Sequence, residues 1–188
     1  ACVGWPGPGV EVEAWREDGS RCDTDEVGEV HLRARHMLAG HIDEAGFHPL
    51  PPDGYHATGD FGRIDARGRL HLVGRTADVI KSGGYKIYPE EIERALAGTA
   101  TAVAVTTVPS EYWGEIVVAV AEDAPSDWET RARAAAEILA SYKRPRAYLT
   151  FESLPRNPQG KIPRGKIRSA ILERFRVIDG PRPVLAPR

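Results

Sequence analysis

The sequence predicts an α+β fold in two parts, a small β-rich region followed by a compact mixed region. Residues 1 to 73 contain short segments in which apolar and polar residues alternate, the pattern of half-buried strands. After residues 75–78 the pattern changes, and towards the C-terminus apolar residues recur at helical spacing. The 188 residues, 41% hydrophobic and 28% charged, suffice for one domain or two small ones with a real core.

In the first part, strands are predicted at 10–15 and 29–33, separated by a turn cluster at 17–20. Residues 61–73 predict a hairpin that turns near Gly68, because glycine tolerates the positive φ of a tight turn.

In the second part, a hairpin is expected at 79–88, followed by a helix that begins at Pro89, where proline costs no hydrogen bond. The later elements expected are Val-rich strands at 101–108 and 114–121, a helix at 127–140, a short strand at 147–151, a helix from Pro163 to about Arg176, and a loose tail at 179–188.

The composition argues against several classes of partner. The 25 basic and 27 acidic residues are interspersed and give a formal charge of -2, so no broad basic field is available for nucleic acid. No apolar run approaches the length of a membrane span and no signal peptide is evident, so we expect a cytoplasmic protein without a membrane partner. Cys2 and Cys22 are expected to stay reduced, although they could pair. With no HExxH or CxxC spacing, no metal site is expected.

Three segments carry residues suited to nucleotide and acyl chemistry. Residues 55–60 read Y-H-A-T-G-D, residues 74–93 read G-R-T-A-D-V-I-K-S-G-G-Y-K-I-Y-P-E-E-I-E, and residues 154–162 read L-P-R-N-P-Q-G-K-I. Together they resemble, in the same order, the Y-x-T-G-D, GR-x(5)-K-x-x-G-x-x-I-x-P-x-E-I-E and P-x-x-x-x-G-K motifs of the adenylate-forming superfamily, in particular its acyl-CoA synthetases. The 82–87 stretch is similar to that of malonyl-CoA synthetases.

The resemblance implies roles for two residues at the nucleotide. Asp60 would accept hydrogen bonds from both ribose hydroxyls of ATP or AMP, and Arg75 would approach the ribose and phosphate with its guanidinium fork. Taken alone, an aspartate in such a loop is more often a turn or cap residue.

It also implies a hinge between a large N-terminal domain, whose end would be residues 1–74, and a mobile lid domain at 79–178. The family's hinge residue is usually Asp or Lys, but Ala77 stands here, so either Ala77 or Asp78 would take the backbone rotation. Ser82, Gly83 and Gly84 would line the channel for the pantetheine arm of CoA, unless they form only a hairpin turn.

The catalytic residue implied by the resemblance is Lys161, whose ammonium would lie between the substrate carboxylate and the α-phosphate during adenylation. In some relatives, a lysine at the position of Lys81 takes the place of that lysine at the active site when the lid has rotated. Alternatively, Lys81 simply faces solvent. Lys143, Arg144 and Arg146 could meet the phosphates of CoA, or form an ordinary polar turn.

The resemblance thus implies the C-terminal portion of an enzyme that converts a carboxylic acid, ATP and CoA into an acyl-CoA through an acyl-adenylate. The phosphate loop and the Mg²⁺ ligands would belong to the N-terminal domain upstream, so the fragment alone would be inactive. Two alternatives stay open, an adenylation domain that loads a carrier protein and a non-catalytic binding module. The start, without a methionine, favours a truncated product.

Overall fold

The computed structural model describes residues 2–188 as a strand-rich mixed fold with three α-helices in that range. The chain divides into two compact units, Ala1–Ala77 (unit 1) and Asp78–Arg188 (unit 2). The boundary falls in a 3-10 turn, Thr76–Asp78, within the predicted junction, and Arg75, Thr76 and Ala77 are exposed.

Unit 1 is built around a five-stranded antiparallel sheet with strand order β1-β7-β6-β3-β2. A separate hairpin, β4–β5, completes its strands. The strands are β1 (Cys2–Gly4), β2 (Val10–Trp15), β3 (Gly28–Ala34), β4 (Gly40–Asp43), β5 (Gly46–Pro49), β6 (His56–Ile64) and β7 (Leu70–Arg75). The predicted hairpin across Gly68 is the β6–β7 pair, and Gly68 has a φ of 74°.

Unit 2 has a second five-stranded sheet, a terminal hairpin and all three helices. Its elements are β8 (Ile80–Ser82), β9 (Tyr85–Ile87), α1 (Pro89–Ala95), β10 (Ala102–Ser110), β11 (Gly114–Glu122), α2 (Trp128–Ala135), β12 (Ala147–Phe151), α3 (Arg164–Arg174), β13 (Phe175–Ile178) and β14 (Val184–Pro187). Strand β11 is central, because β10 pairs with it antiparallel, β12 pairs with it parallel, and β8 meets it at one position.

The apolar run of β11 is buried on both faces of the sheet. Successive side chains alternate between the faces, so Val117 and Ala119 pack with helices α1 and α2, whereas Val118 and Val120 pack with α3. Such two-sided burial explains why the strand is continuously hydrophobic rather than alternating.

Three elements differ from the sequence predictions. The helix expected over 127–140 is α-helical only at Trp128–Ala135 and continues as a 3-10 turn, Ala136–Ile138. The last helix ends at Arg174, because β13 begins at Phe175. The prediction of a loose tail at 179–188 was wrong, since β14 pairs with β13 along its whole length.

None of the helices in the described part of the chain, residues 2–188, is long and apolar enough to cross a bilayer.

Candidate functional site

Asp60 and Arg75 lie opposite each other on the neighbouring strands β6 and β7 of unit 1. The Nε atom of Arg75 is 3.2 Å from Oδ1 of Asp60, and 66% of the Arg75 side chain is exposed. Thr58 holds the backbone just before Asp60 in place, because its hydroxyl donates to the carbonyl of Val30 and accepts a hydrogen bond from the backbone N–H of Asp60. The two residues assigned to the nucleotide by the sequence motifs are therefore brought together by strand pairing.

The predicted hinge residues fall on either side of the unit boundary. Ala77 is exposed, whereas Asp78 is partly buried and accepts a hydrogen bond of 2.7 Å from Nη1 of Arg164 in unit 2. The two candidates are thus not equivalent, because only Asp78 has its side chain tied to a helix.

The Ser82–Gly83–Gly84 segment forms the turn between β8 and β9. Gly83 and Gly84 have φ values of 57° and 82°, as in a type I′ hairpin turn, while Ser82 is buried and pairs with Tyr85. The two glycines have different surroundings. A Cβ at Gly83 would lie 3.0 Å from two ring atoms of Trp113, whereas a Cβ at Gly84 would have no atom within 4 Å.

Trp113, which the sequence motifs did not identify, organises the surroundings of this turn. Its carbonyl accepts the N–H of Gly83 at 2.9 Å, and the guanidinium of Arg146 stacks over its ring at 3.6 Å from the centroid. Its Nε1 donates to the carbonyl of Gly180 at 3.0 Å. Cation–π contact of this kind offers a flat, cationic surface next to the turn.

The three cationic side chains at 143–146 make different contacts. Lys143 donates to both carboxylate oxygens of Glu91 at 2.7 and 2.8 Å, and Arg144 donates to the carbonyls of Leu139 and Glu137. Arg146 makes no side-chain hydrogen bond or ion pair with the described residues, and partial burial lowers its pKa. Lys143 and Arg144 therefore already have protein partners, and their contact with a ligand stays a prediction.

Lys161 lies in a closed, exposed loop. The side-chain oxygen of Asn157 accepts the N–H groups of Gln159 and Lys161, and the Asn157 N–H donates to the Lys161 carbonyl. Gly160 supplies the positive φ of 77° that closes the turn. The Lys161 ammonium has no hydrogen bond or ion pair with any residue in the described range 2–188.

Both ends of this loop are anchored by arginines. Before it, Arg156 pairs with Glu122 at the end of β11, which lowers the pKa of that carboxyl to about 2, chiefly through the side-chain hydrogen bond. After it, Arg164 binds the carboxylates of Asp78, Glu90 and Glu93. The anchored ends leave the lysine itself free to meet a ligand.

Lys81 is exposed on β8, opposite Lys86. Its backbone N–H donates to Glu115, and its ammonium has no hydrogen bond or ion pair with residues 2–188. No hydrogen bond in that part of the chain joins Lys81 or Lys161 to another predicted site residue.

Other predicted features concern thiols and metals. Cys2 and Cys22 are free, with Cys2 exposed. In the described range, no three or more His, Cys, Asp or Glu residues are grouped so as to hold a metal ion.

No family model matches the chain. Among curated proteins, an uncharacterized acyl-CoA ligase, YhfT of Bacillus subtilis, is 33% identical over 173 residues, covering 91% of this chain and 35% of that protein. The chain thus spans about a third of the length of such relatives.

Solved structures of related enzymes also match most of this chain and about a third of their own length. ATP-bound MatB from Rhodopseudomonas palustris is 29% identical with a TM-score of 0.78, over 90% of this chain and 35% of that one. The amide bond synthetase McbA from Marinactinospora thermotolerans is 33% identical with a TM-score of 0.78, over 90% and 36%. The o-succinylbenzoate CoA synthetase MenE from Bacillus subtilis, in complex with its acyl-adenylate intermediate, is 28% identical with a TM-score of 0.75, over 89% and 35%. With its three motifs and this shared fold, the chain belongs to the adenylate-forming superfamily of CoA ligases.

Proposed function

We propose that the chain is the C-terminal part of an AMP-forming acyl-CoA synthetase, in which residues 79–178 are the mobile lid. The carboxylate of an organic acid attacks the α-phosphorus of ATP and pyrophosphate leaves. The thiol of CoA, losing its proton, then attacks the carbonyl carbon of the acyl-adenylate and AMP leaves. The observation that carries the proposal is the Lys161 loop, whose ends are anchored while its ammonium has no partner among residues 2–188.

In the first step, the Lys161 ammonium draws the carboxylate and the α-phosphate together and offsets the charge that develops at phosphorus. Asp60 offers two acceptor oxygens to the ribose diol, and the exposed guanidinium of Arg75 beside it suits the ribose and phosphate. We assign no residue of this chain to Mg²⁺, whose ligands are expected in the N-terminal part of the enzyme.

In the second step, the glycine turn at 83–84 leaves room for the thin pantetheine arm. Arg146, stacked on Trp113 and without a carboxylate partner in the described residues, is better suited to a CoA phosphate than Lys143 or Arg144. Lys81 is a further cation that a rotated lid could present.

The likeness to the amide bond synthetase McbA supports a second candidate, in which an amine instead of the CoA thiol attacks the carbonyl carbon of the acyl-adenylate, loses a proton and displaces AMP to form an amide. Both candidates share the adenylation step and differ only in the acceptor.

The proposal is tested by measuring pyrophosphate release by the full-length enzyme over a panel of carboxylic acids, followed by product analysis with CoA, a carrier protein or an amine as acceptor. Lys161→Ala should slow acyl-adenylate formation by about 2.7–4 kcal/mol of barrier, as expected for the loss of one preorganised charge. It should leave thioester formation from supplied acyl-adenylate within about twofold, since a rotated lid carries the lysine away.

Lys166→Ala is the matched control, because Lys166 is an exposed lysine on the same segment without a predicted role. The proposal is wrong if no carboxylic acid elicits pyrophosphate release, or if Lys161→Ala and Lys166→Ala behave alike.

A further inference from the structure

Arg164, the first residue of α3, lies at the centre of a cluster of carboxylates in unit 2. Its Nη1 donates to Asp78 at 2.7 Å, and its Nη2 lies 2.8 Å from Glu93 and 3.0 Å from Glu90. Its Nε donates to the carbonyl of Val105 on β10. One guanidinium therefore joins four segments, namely the start of unit 2, helix α1, strand β10 and the segment that follows the Lys161 loop.

The cluster is held together by this single cation. Burial raises the pKa of Glu93, while Arg164 and the N–H of Val105 act in the opposite direction. One oxygen of Glu90 is buried without a hydrogen-bond partner among the described residues. Stability alone does not account for three carboxylates around one guanidinium, since neutral packing would serve stability as well.

The position of Arg164 along the chain gives the cluster a second property. Only Ile162 and Pro163 separate it from Lys161, and Pro163 allows little backbone freedom. The remainder of α3 is fixed independently, because Ile167 and Ile171 are fully buried in the core. Loss of Arg164 would thus release the Lys161 end of the helix without dissolving the helix.

We propose that Arg164 is a positioning residue that joins Asp78 and the Lys161 segment into one rigid body, so that the lid pivots at Ala77 and carries Lys161 at a fixed distance from the pivot. This inference rests on the proposed function. It distinguishes the two hinge candidates, because the ion pair with Arg164 hinders rotation at Asp78, while the exposed methyl group of Ala77 can form no such bond.

The kinetic test compares Arg164→Ala, Arg164→Lys and Asp78→Ala in the full-length enzyme, with the two half-reactions measured separately. Arg164→Ala should lower the kcat of adenylation about 10- to 100-fold, the effect of misplacing a catalytic group by about an ångström. The KM for ATP and the rate of thioester formation from supplied acyl-adenylate should stay within about twofold, as the changed group acts only through Lys161. Arg164→Lys should recover part of the loss, because it keeps the charge without the fork.

Asp78→Ala removes the link between Arg164 and the pivot but leaves the pairs of Arg164 with Glu90 and Glu93 in place. It should lower adenylation in the same direction as Arg164→Ala. Arg168→Ala is the control, since Arg168 lies one turn further along α3 and only approaches Glu115 at 3.7 Å. Equal losses in both half-reactions, or equal effects of Arg164→Ala and Arg168→Ala, would overturn the inference.

A second measurement separates this inference from the proposed function. In the 188-residue chain itself, Arg164→Ala should speed amide hydrogen exchange of Lys161 and Lys166 at least about tenfold while Ile171 stays protected. If exchange at all three positions is unchanged, Arg164 does not hold the segment. If the enzyme forms no acyl-adenylate but exchange changes as stated, the positioning stands and the assigned reaction fails.

Discussion

Replacing Gly83 and Gly84 by alanine, one at a time, tests how the glycine turn is built. Both residues have positive φ, so alanine costs about 1–2 kcal/mol of backbone strain at either position. A Cβ at Gly84 meets nothing, whereas a Cβ at Gly83 would be 3.0 Å from two carbons of Trp113, well inside the usual 3.5–4.0 Å contact.

Trp113 cannot easily move aside. Its indole N–H is bonded to Gly180 and its face is covered by Arg146, so the clash must be relieved by breaking one of these contacts. Overpacking of this kind costs about 1–3 kcal/mol. Gly83→Ala should therefore destabilise unit 2 by about 2–5 kcal/mol, the sum of the backbone and overpacking terms, and Gly84→Ala by about 1–2 kcal/mol, the backbone term alone.

Hydrogen exchange of the β11 amides measures this loss, because we expect amides of a central strand buried on both faces to exchange only when the core of unit 2 unfolds. This measurement is preferable to a global unfolding curve, because a chain of two units need not unfold in a single two-state transition. In the full-length enzyme, Gly83→Ala should also raise the KM for CoA more than Gly84→Ala does. Equal losses of protection in the two variants would refute the account of Trp113 as a fixed wall.

Two further predictions concern charged groups. Asp60→Asn should weaken ATP binding by about 1.5–3 kcal/mol for each charge-assisted hydrogen bond that is lost. It should change the free energy of unfolding by less than about 1 kcal/mol, because an ion pair with the exposed Arg75 contributes little. Titration with ATP measures the first effect and thermal melting the second. Arg156→Gln should make the stability less dependent on pH in the acid range. Because the pKa of Glu122 is lowered from its ordinary value of 4.5, its pairing with Arg156 stabilises the fold above pH 4.5 and the stabilisation is lost as the pH falls towards 2. A variant that keeps the wild-type slope of stability against pH contradicts this assignment.

Local patterns in the sequence were sufficient to predict most elements, including the hairpin that brings Asp60 opposite Arg75. The strands β10 and β11 follow from two Val-rich runs, and the β8–β9 turn follows from consecutive glycines. Asp60 and Arg75 meet because a hairpin with its turn at Gly68 pairs them, which neighbouring residues alone determine.

Contacts between distant segments could not be predicted in this way. Trp113 lies beside Gly180 and Arg164 beside Asp78, and these pairs are 67 and 86 residues apart in sequence. The ordered tail has the same origin. Asp179 accepts the hydroxyl of Ser110 at 2.7 Å and thereby fixes the β13–β14 hairpin to the end of β10. The Pro-rich composition of the tail alone predicts a loose segment, because composition does not reveal a contact with a residue as distant as Ser110.

Long-range pairing also sorts the cations that sequence alone treats as equivalent. A lysine or arginine with a carboxylate or carbonyl partner must break that contact before it binds a phosphate, so Lys143 and Arg144 start at a disadvantage. Lys161 and Arg146 have no carboxylate or carbonyl bond to break within the described residues, and the stacking of Arg146 on Trp113 leaves its N–H groups without a protein acceptor. Under the proposed function, Lys161 serves the adenylation step and Arg146 the CoA step, so we expect each cation to bind its ligand without first breaking an ion pair.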